Sequence, residues 1–141
     1  MIEAYFDGAT DDNNKKRVIN CAIGVIIKEN GQEISSVSRK AGQGSSNYAE
    51  FFALVGCLTE ILALEKADEK VVVYGDFKPA IDAMNGLEKF RNSIEWFDLY
   101  QQAVELKKLF KTITFVWIPN RKNGLAHDLS RQPLLTTLNR K

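Results

Sequence analysis

Three apolar, β-prone runs follow one another before any helical periodicity begins, and this order constrains the fold more than any other feature of the chain. Ile2 to Phe6 reads as a short strand, and Val18 to Lys28 as a buried one built around Cys-Ala-Ile-Gly-Val-Ile-Ile. Glu33 to Arg39 reads as its returning partner, because Asn30-Gly31 between them carries the hairpin signal. From Tyr48 to Lys66 the period changes to that of a helix, with Phe51, Leu54, Val55, Leu58 and Leu62 on one face. Ser45-Ser46-Asn47 offers capping side chains at its start. Lys70 to Tyr74 is then a compact strand, and Phe77 to Met84 a short helix with Pro79 in its first turn. Ser93 to Phe110 reads as a helix with Ile94, Phe97, Leu99, Val104, Leu106 and Leu109 as its apolar stripe. Ile113 to Ile118 is a last strand, and Leu125 to Arg131 a final helix that Pro133 is expected to end. The order β-β-β-α-β-α-α-β-α implies an α/β fold: a five-stranded mixed sheet with helices on both faces.

A length of 141 residues, 45% hydrophobic and 26% charged, suits one globular domain over residues 1–141. With 19 Lys+Arg against 18 Asp+Glu, the net charge of +1 excludes a strongly basic wrap around nucleic acid and a strongly acidic tail. Cys21 and Cys57 sit among apolar neighbours and read as buried reduced thiols, and without a C-x-x-C there is no zinc ribbon. No apolar run reaches the ~18–20 residues that cross a bilayer, and no basic region with a long apolar stretch opens the chain. The expected location is the cytoplasm, without membrane association and as a monomer. The polar cluster from Asp11 to Arg17 reads as a loop.

Three of the acids stand where structure would aim them. Asp7 follows the first apolar strand and precedes a glycine, and Asp76 follows Val-Val-Val-Tyr-Gly in the same way. If these strands are neighbours, both carboxylates project into one region at the sheet's end. Glu50 lies near the start of the first long helix, where the helix dipole also favours an acid. Oxygen donors from separate elements suit a hard divalent cation, and carboxylates packed together repel unless one is bound. Such a site suits phosphodiester hydrolysis with two metal ions about 3.5–4 Å apart. Neither G-x-S-x-G nor a P-loop is present to compete. Phe115 and Trp117, and Trp96 and Phe97, are expected in the core. Arg121, Lys122, Arg131, Arg140 and Lys141 form either a phosphate-facing patch or a solvated basic surface.

Four segments, in order, carry a resemblance: Tyr-Phe-Asp7-Gly-Ala, Ser-Ser-Asn-Tyr-Ala-Glu50-Phe-Phe-Ala-Leu, Val-Val-Val-Tyr-Gly-Asp76, and Phe-Val-Trp117-Ile-Pro119-Asn-Arg-Lys-Asn123-Gly-Leu-Ala126-His127-Asp128-Leu129-Ser130. Together they resemble the type 1 ribonuclease H family over nearly the whole chain. The resemblance implies a ribonuclease H-like fold and hydrolysis of the RNA strand of RNA/DNA hybrids. It also implies a divalent metal held by an Asp-Glu-Asp-Asp set. On that pattern Asp7, Glu50 and Asp76 are catalytic metal ligands, and Mg²⁺ or Mn²⁺ is the cofactor. The pattern Asn-x-x-Ala-Asp-x-Leu-Ser, laid on Asn123, Ala126, Leu129 and Ser130, puts His127 at the fourth acidic position. A one-residue shift of the helix start presents Asp128 instead. The imidazole suits Mn²⁺ or Zn²⁺ better than Mg²⁺. The resemblance also places Gly8, Ser45, Ser46, Asn47 and Asn123 among the substrate-binding positions, with Ser46 standing where the family carries an amide. Asn85 to Ser93 is short and holds no large basic protrusion. Two other activities remain open for such a chain: a module that binds hybrid or double-stranded RNA without cutting, and a nuclease acting on DNA.

Overall fold

The computed structural model describes residues 1–11, 19–92 and 94–138. Its elements are β1 (Ile2–Thr10), β2 (Asn20–Glu29), β3 (Gln32–Gln43), α1 (Ser46–Ala63), β4 (Lys70–Gly75), α2 (Lys78–Met84), α3 (Phe97–Lys107), β5 (Thr112–Trp117), a 3-10 turn (Asn120–Lys122) and α4 (Gly124–Leu138). The strands form one sheet in the order β3-β2-β1-β4-β5. The β1–β2 and β2–β3 pairs are antiparallel, whereas β1–β4 and β4–β5 are parallel. Asn30 and Gly31 close the β2–β3 hairpin with positive φ values of 50° and 87°, the backbone that an Asn-Gly turn requires.

The sheet's two faces are covered differently. Ile2, Ala4 and Phe6 of β1, Ile23, Val25 and Ile27 of β2, and Val71 and Val73 of β4 are fully buried in the core cluster with Phe51, Leu54, Leu58 and Ile61 of α1. On the opposite face α4 lies across β2 and β1. Its backbone comes so close to Gly24 that a Cβ there would stand 2.2 Å from Ala126 O and 2.4 Å from Ser130 N. On the first face α1 crosses Gly8 as tightly, and a Cβ there would stand 2.4 Å from Ala49 C and O. Both glycines are needed because a helix backbone occupies the place of a side chain.

Several boundaries differ from the sequence reading. Asp-Gly does not end β1, which runs on to Thr10 because β2 continues to pair with it as far as Thr10↔Cys21. α3 starts at Phe97 rather than Ser93 and ends at Lys107, and Leu109 is exposed rather than part of a buried stripe. Pro133 does not end α4, which continues to Leu138. A proline at this position cannot donate to the carbonyl four residues earlier. Ser38 Oγ of β3 donates to that carbonyl, Leu129 O, at 2.6 Å, so the helix passes through the proline with the acceptor satisfied. Cys21 and Cys57 are free and buried, as expected. Of the expected loop, residues 12–18 lie outside the described residues, as do Ser93, Arg140 and Lys141. Asp11 is buried, and its carboxylate accepts Asn20 N at 2.7 Å and Asn20 Nδ2 at 2.8 Å. Among the described residues no helix is long and apolar enough to cross a membrane.

Candidate active site

The register of the two central parallel strands builds the site. β1 and β4 pair from Ile2↔Val71 to Phe6↔Gly75 and then part. The next residues are Asp7 and Asp76, so both carboxylates start from the point where the ladder opens. Phe6 C=O and Gly8 N–H, two residues apart, project from the same edge of β1. Side chains take both positions: Asn123 Nδ2 donates to Phe6 O at 2.9 Å, and Gly8 N donates to Glu50 Oε1 at 2.9 Å. The Gly8 amide thus pins the α1 carboxylate against the strand that carries Asp7. Ligand oxygens of Asp7, Glu50 and Asp76 all lie within 4.8 Å of one another.

α4 completes the surroundings. Ser130 Oγ reaches Asp7 Oδ2 at 3.1 Å, and His127 Nδ1 lies 3.2 Å from the same oxygen. Asp7 is 4% exposed, and the His127 side chain is 40% exposed at the rim. Asp128, one residue on, lines a separate pocket of about 370 Å³ with Tyr5, Lys28 and Lys122. The structure therefore brings His127, not Asp128, against Asp7.

Charge crowds the cluster. Burial first, and then the Asp76 charge, push the Asp7 carboxyl up from 3.8 to about 6, against the lowering contacts of Ser130 and His127. Burial raises Glu50 well above the usual carboxylate range; Asp7 and Asp76 add to the rise and the Gly8 N–H opposes it. Among the described residues the three acids form no ion pair with a lysine or arginine. Three oxygen donors held together against their own repulsion, with no lysine or arginine among the described residues to offset them and only His127 at the rim, fit a hard divalent cation.

The other expected site residues have distinct places. Gly8 is the donor to Glu50. Ser45 is the α1 N-cap, accepting Tyr48 N at 3.1 Å while its hydroxyl donates to Glu95 Oε1 at 2.5 Å. Ser46 is exposed and Asn47 half-buried in the first turn of α1. Asn123 is only 1% exposed, so it fastens α4 to β1 rather than facing outward. Phe115 is in the core, and Trp96 stacks on Phe51 with ring centroids 6.0 Å apart. Trp117 is not a core residue: it is 49% exposed, and its Nε1 donates to Asp76 O at 3.1 Å. That contact and the Ser130 contact to Asp7 were not legible in the sequence, because both depend on pairings between distant segments. Gly24, isolated inside an apolar strand, was the one available sign that another backbone approaches there.

Comparisons with known proteins agree with this geometry. The model of the reverse transcriptase-like family matches residues 6–132. A provisionally named hydrolase of Enterococcus faecalis, EbsB, is 24% identical over 134 residues, spanning 95% of this chain and 94% of the relative. Ribonuclease H1 from the halophilic archaeon Halobacterium salinarum NRC-1 superposes with a TM-score of 0.84 at 21% identity, covering 96% of this chain and 98% of that one. LC11-RNase H1, isolated from compost by a metagenomic approach and solved in complex with an RNA/DNA hybrid, superposes with a TM-score of 0.86 at 23% identity, covering 99% of this chain and 100% of that one. With its sheet order shared by these structures and its sequence matched almost end to end, the chain belongs to the reverse transcriptase-like family and has the ribonuclease H fold.

Proposed function

We propose that the chain is a metal-dependent endoribonuclease that hydrolyses the RNA strand of RNA/DNA hybrids by two-metal-ion catalysis, with Mg²⁺ or Mn²⁺ as cofactor. The observation that carries this reading is the joint reach of Asp7, Glu50 and Asp76 across 4.8 Å. The hybrid held by LC11-RNase H1 supports the substrate class.

Asp7, Glu50 and Asp76 would hold the metal, and His127 would stand at the fourth position. Bound divalent ions would supply an activated water and stabilise the leaving 3′-oxygen. The chain's own residues fix the geometry. The Gly8 amide orients Glu50, the Ser130 hydroxyl orients Asp7, and Trp117 holds the backbone of Asp76. With Nδ1 against Asp7, His127 would help to deliver protons or release product at the rim of the site. Ser45, Ser46 and Asn47 at the start of α1 would meet the nucleic-acid backbone, and 2′-hydroxyls in the minor groove would mark the RNA strand. Hydrolysis would leave 5′-phosphate and 3′-hydroxyl ends. The chain would act as a monomer in the cytoplasm.

Incubating labelled RNA/DNA hybrid, duplex RNA and duplex DNA with Mg²⁺ and then Mn²⁺ tests the reading. Cleavage of the hybrid, lost by about 10³-fold in Asp7→Asn, is expected. Binding without cleavage in either metal would sink it in favour of a binding module, and preferential cleavage of duplex DNA would sink the substrate assignment. Activity untouched in His127→Ala but destroyed in Asp128→Ala would overturn the fourth position.

A further inference from the structure

A second cavity stands beside the acidic cluster and shares none of its carboxylates. Tyr5 and Asp7, two residues apart, share a face of β1. The start of α4 serves both positions: His127 meets Asp7, and Asp128 lines the cavity next to Tyr5. That cavity measures about 370 Å³, with Ile26 and Lys28 of β2 and Lys122 and Leu125 around the α4 start as further walls. Its Tyr5 wall is held in place from both sides. β1 runs between β2 and β4, and the Tyr5 ring stacks on Tyr74 of β4 with centroids 4.9 Å apart, while Lys28 Nζ of β2 stands 5.6 Å from the ring centroid. Among the described residues Lys28, Lys122 and Asp128 form no ion pair, although both signs of charge border one cavity. Leu125 adds an apolar side chain that is 59% exposed. A ligand that meets all of these walls carries an anion, hydrogen-bond donors and an apolar ring. The volume lies near the lower end of the roughly 300–1,000 Å³ typical of small-molecule sites, which suits one nucleotide and not a dinucleotide.

We propose that this cavity binds a ribonucleoside monophosphate unit, with Lys28 and Lys122 on the phosphate, Asp128 on the ribose hydroxyls, and Ile26 and Leu125 against the base. Lysine takes a phosphate as a point charge, and two ammonium groups from separate elements converge here on one cavity. A carboxylate accepts from ribose hydroxyls in nucleotide sites, which makes the 2′-hydroxyl a point of recognition. The two functions of the start of α4 are thereby divided between neighbouring residues, with His127 at the acidic cluster and Asp128 at the nucleotide. A bound nucleotide also joins the start of α4 to β1 and β2, because its contacts come from all three elements. The site stands without the hybrid-cleaving reading, since none of its ligand contacts is a metal-holding acid.

The test is calorimetric titration of the full chain with AMP in EDTA, which keeps metal at the acidic cluster from holding the phosphate. Thermal melting confirms that each variant is folded. Wild type is expected to bind one AMP per chain and to melt at a higher temperature with AMP present. Adenosine on wild type, and AMP on Lys28→Gln or on Lys122→Gln, should each bind about 5-fold or more weakly. Deoxy-AMP should also bind about 5-fold more weakly than AMP to wild type, and the two should bind alike to Asp128→Ala, a levelling that a merely structural Asp128 would not give. A 5′-phosphorylated single-stranded oligoribonucleotide separates the two sources of the unit. If its binding falls in Lys28→Gln by the same factor as that of AMP, an RNA strand end also occupies the cavity; if it is indifferent to Lys28→Gln, the free nucleotide is the occupant. Folded wild type that binds no AMP at millimolar concentration would overturn the proposal, as would adenosine binding as tightly as AMP. So would two folded lysine variants that keep AMP within about twofold of wild type. Deoxy-AMP bound as tightly as AMP by wild type would overturn the ribose contact of Asp128.

Discussion

α1 and α4 meet the same two strands from opposite faces, each across a glycine, yet packing and hydrogen bonding share the work unequally. α1 lies over Gly8 and is clamped by Phe51, Leu54, Leu58 and Ile61, all fully buried. α4 lies over Gly24 with a smaller apolar contact, Leu134 against Ala9 and Ala22, and with Leu125 and Leu135 left exposed. Polar contacts add to that small patch: Asn123 on Phe6 O, Ser130 on Asp7, and Ser38 on Leu129 O. The difference teaches where the site is rigid. Glu50 comes with a helix fixed by extensive packing, whereas His127 comes with one fixed by a small apolar patch and a few directional hydrogen bonds, each of which contributes on the order of 1 kcal/mol.

The contrast can be broken most directly at the two glycines. Gly8→Ala is expected to cost about 3 kcal/mol or more, because α1 has no room to lift, and Gly24→Ala about 1–3 kcal/mol, because α4 can shift toward solvent. Urea unfolding of the two variants measures both, and equal or reversed costs would end the distinction. A second effect belongs to the acids between the helices. The Asp7 carboxyl rises from 3.8 to about 6 on folding, so the unfolded chain releases its proton first as the pH climbs. Below about pH 4 both states are protonated and nothing is lost. Between about 4 and 6 the folded state is increasingly penalised, and above 6 the full penalty of about 1–3 kcal/mol applies. Glu50 acts in the same direction. Melting in EDTA should therefore show wild type losing stability from pH 4 to pH 7 and Asp7→Asn losing less, while divalent metal should raise the melting temperature of wild type alone. The smallest effect sharpens the picture of α4. Ser38→Ala should cost about 1 kcal/mol by leaving Leu129 O without its donor, and less in a chain that also carries Pro133→Ala, where the helix regains its own bond. A double-mutant cycle measures the difference.

The same asymmetry explains what could be read from residue order. The strand sequence and α1 were legible because burial on one or both faces imposes a period on the apolar residues, as from Val71 to Val73 and from Phe51 to Leu62. The three acids were legible as residues that follow apolar strands or open a helix. The end of β1 is hidden, because Asp7-Gly8 looks like a turn unless β2 is known to continue alongside for four more residues. Pro133 looks like the end of α4 because the acceptor's substitute donor, Ser38, is 91 residues distant. The apolar bulk of Trp117 points to the core, although the indole N–H has a use at Asp76 that no local pattern displays. Contacts that hold side chains of one segment to the backbone of another leave no periodic trace.

The parting of β1 and β4 just after Phe6↔Gly75 has a consequence for how such a chain tolerates change. The separation of Asp7 and Asp76 is metered by hydrogen-bonded rungs between neighbouring strands, not by the connections that join elements. Lengthening or shortening a connection would leave the pair facing each other, whereas gaining or losing one residue inside either strand would turn its carboxylate to the other side of the sheet. Insertions and deletions compatible with a working centre should therefore be confined to the connections, with both central strands kept at fixed length up to their acids.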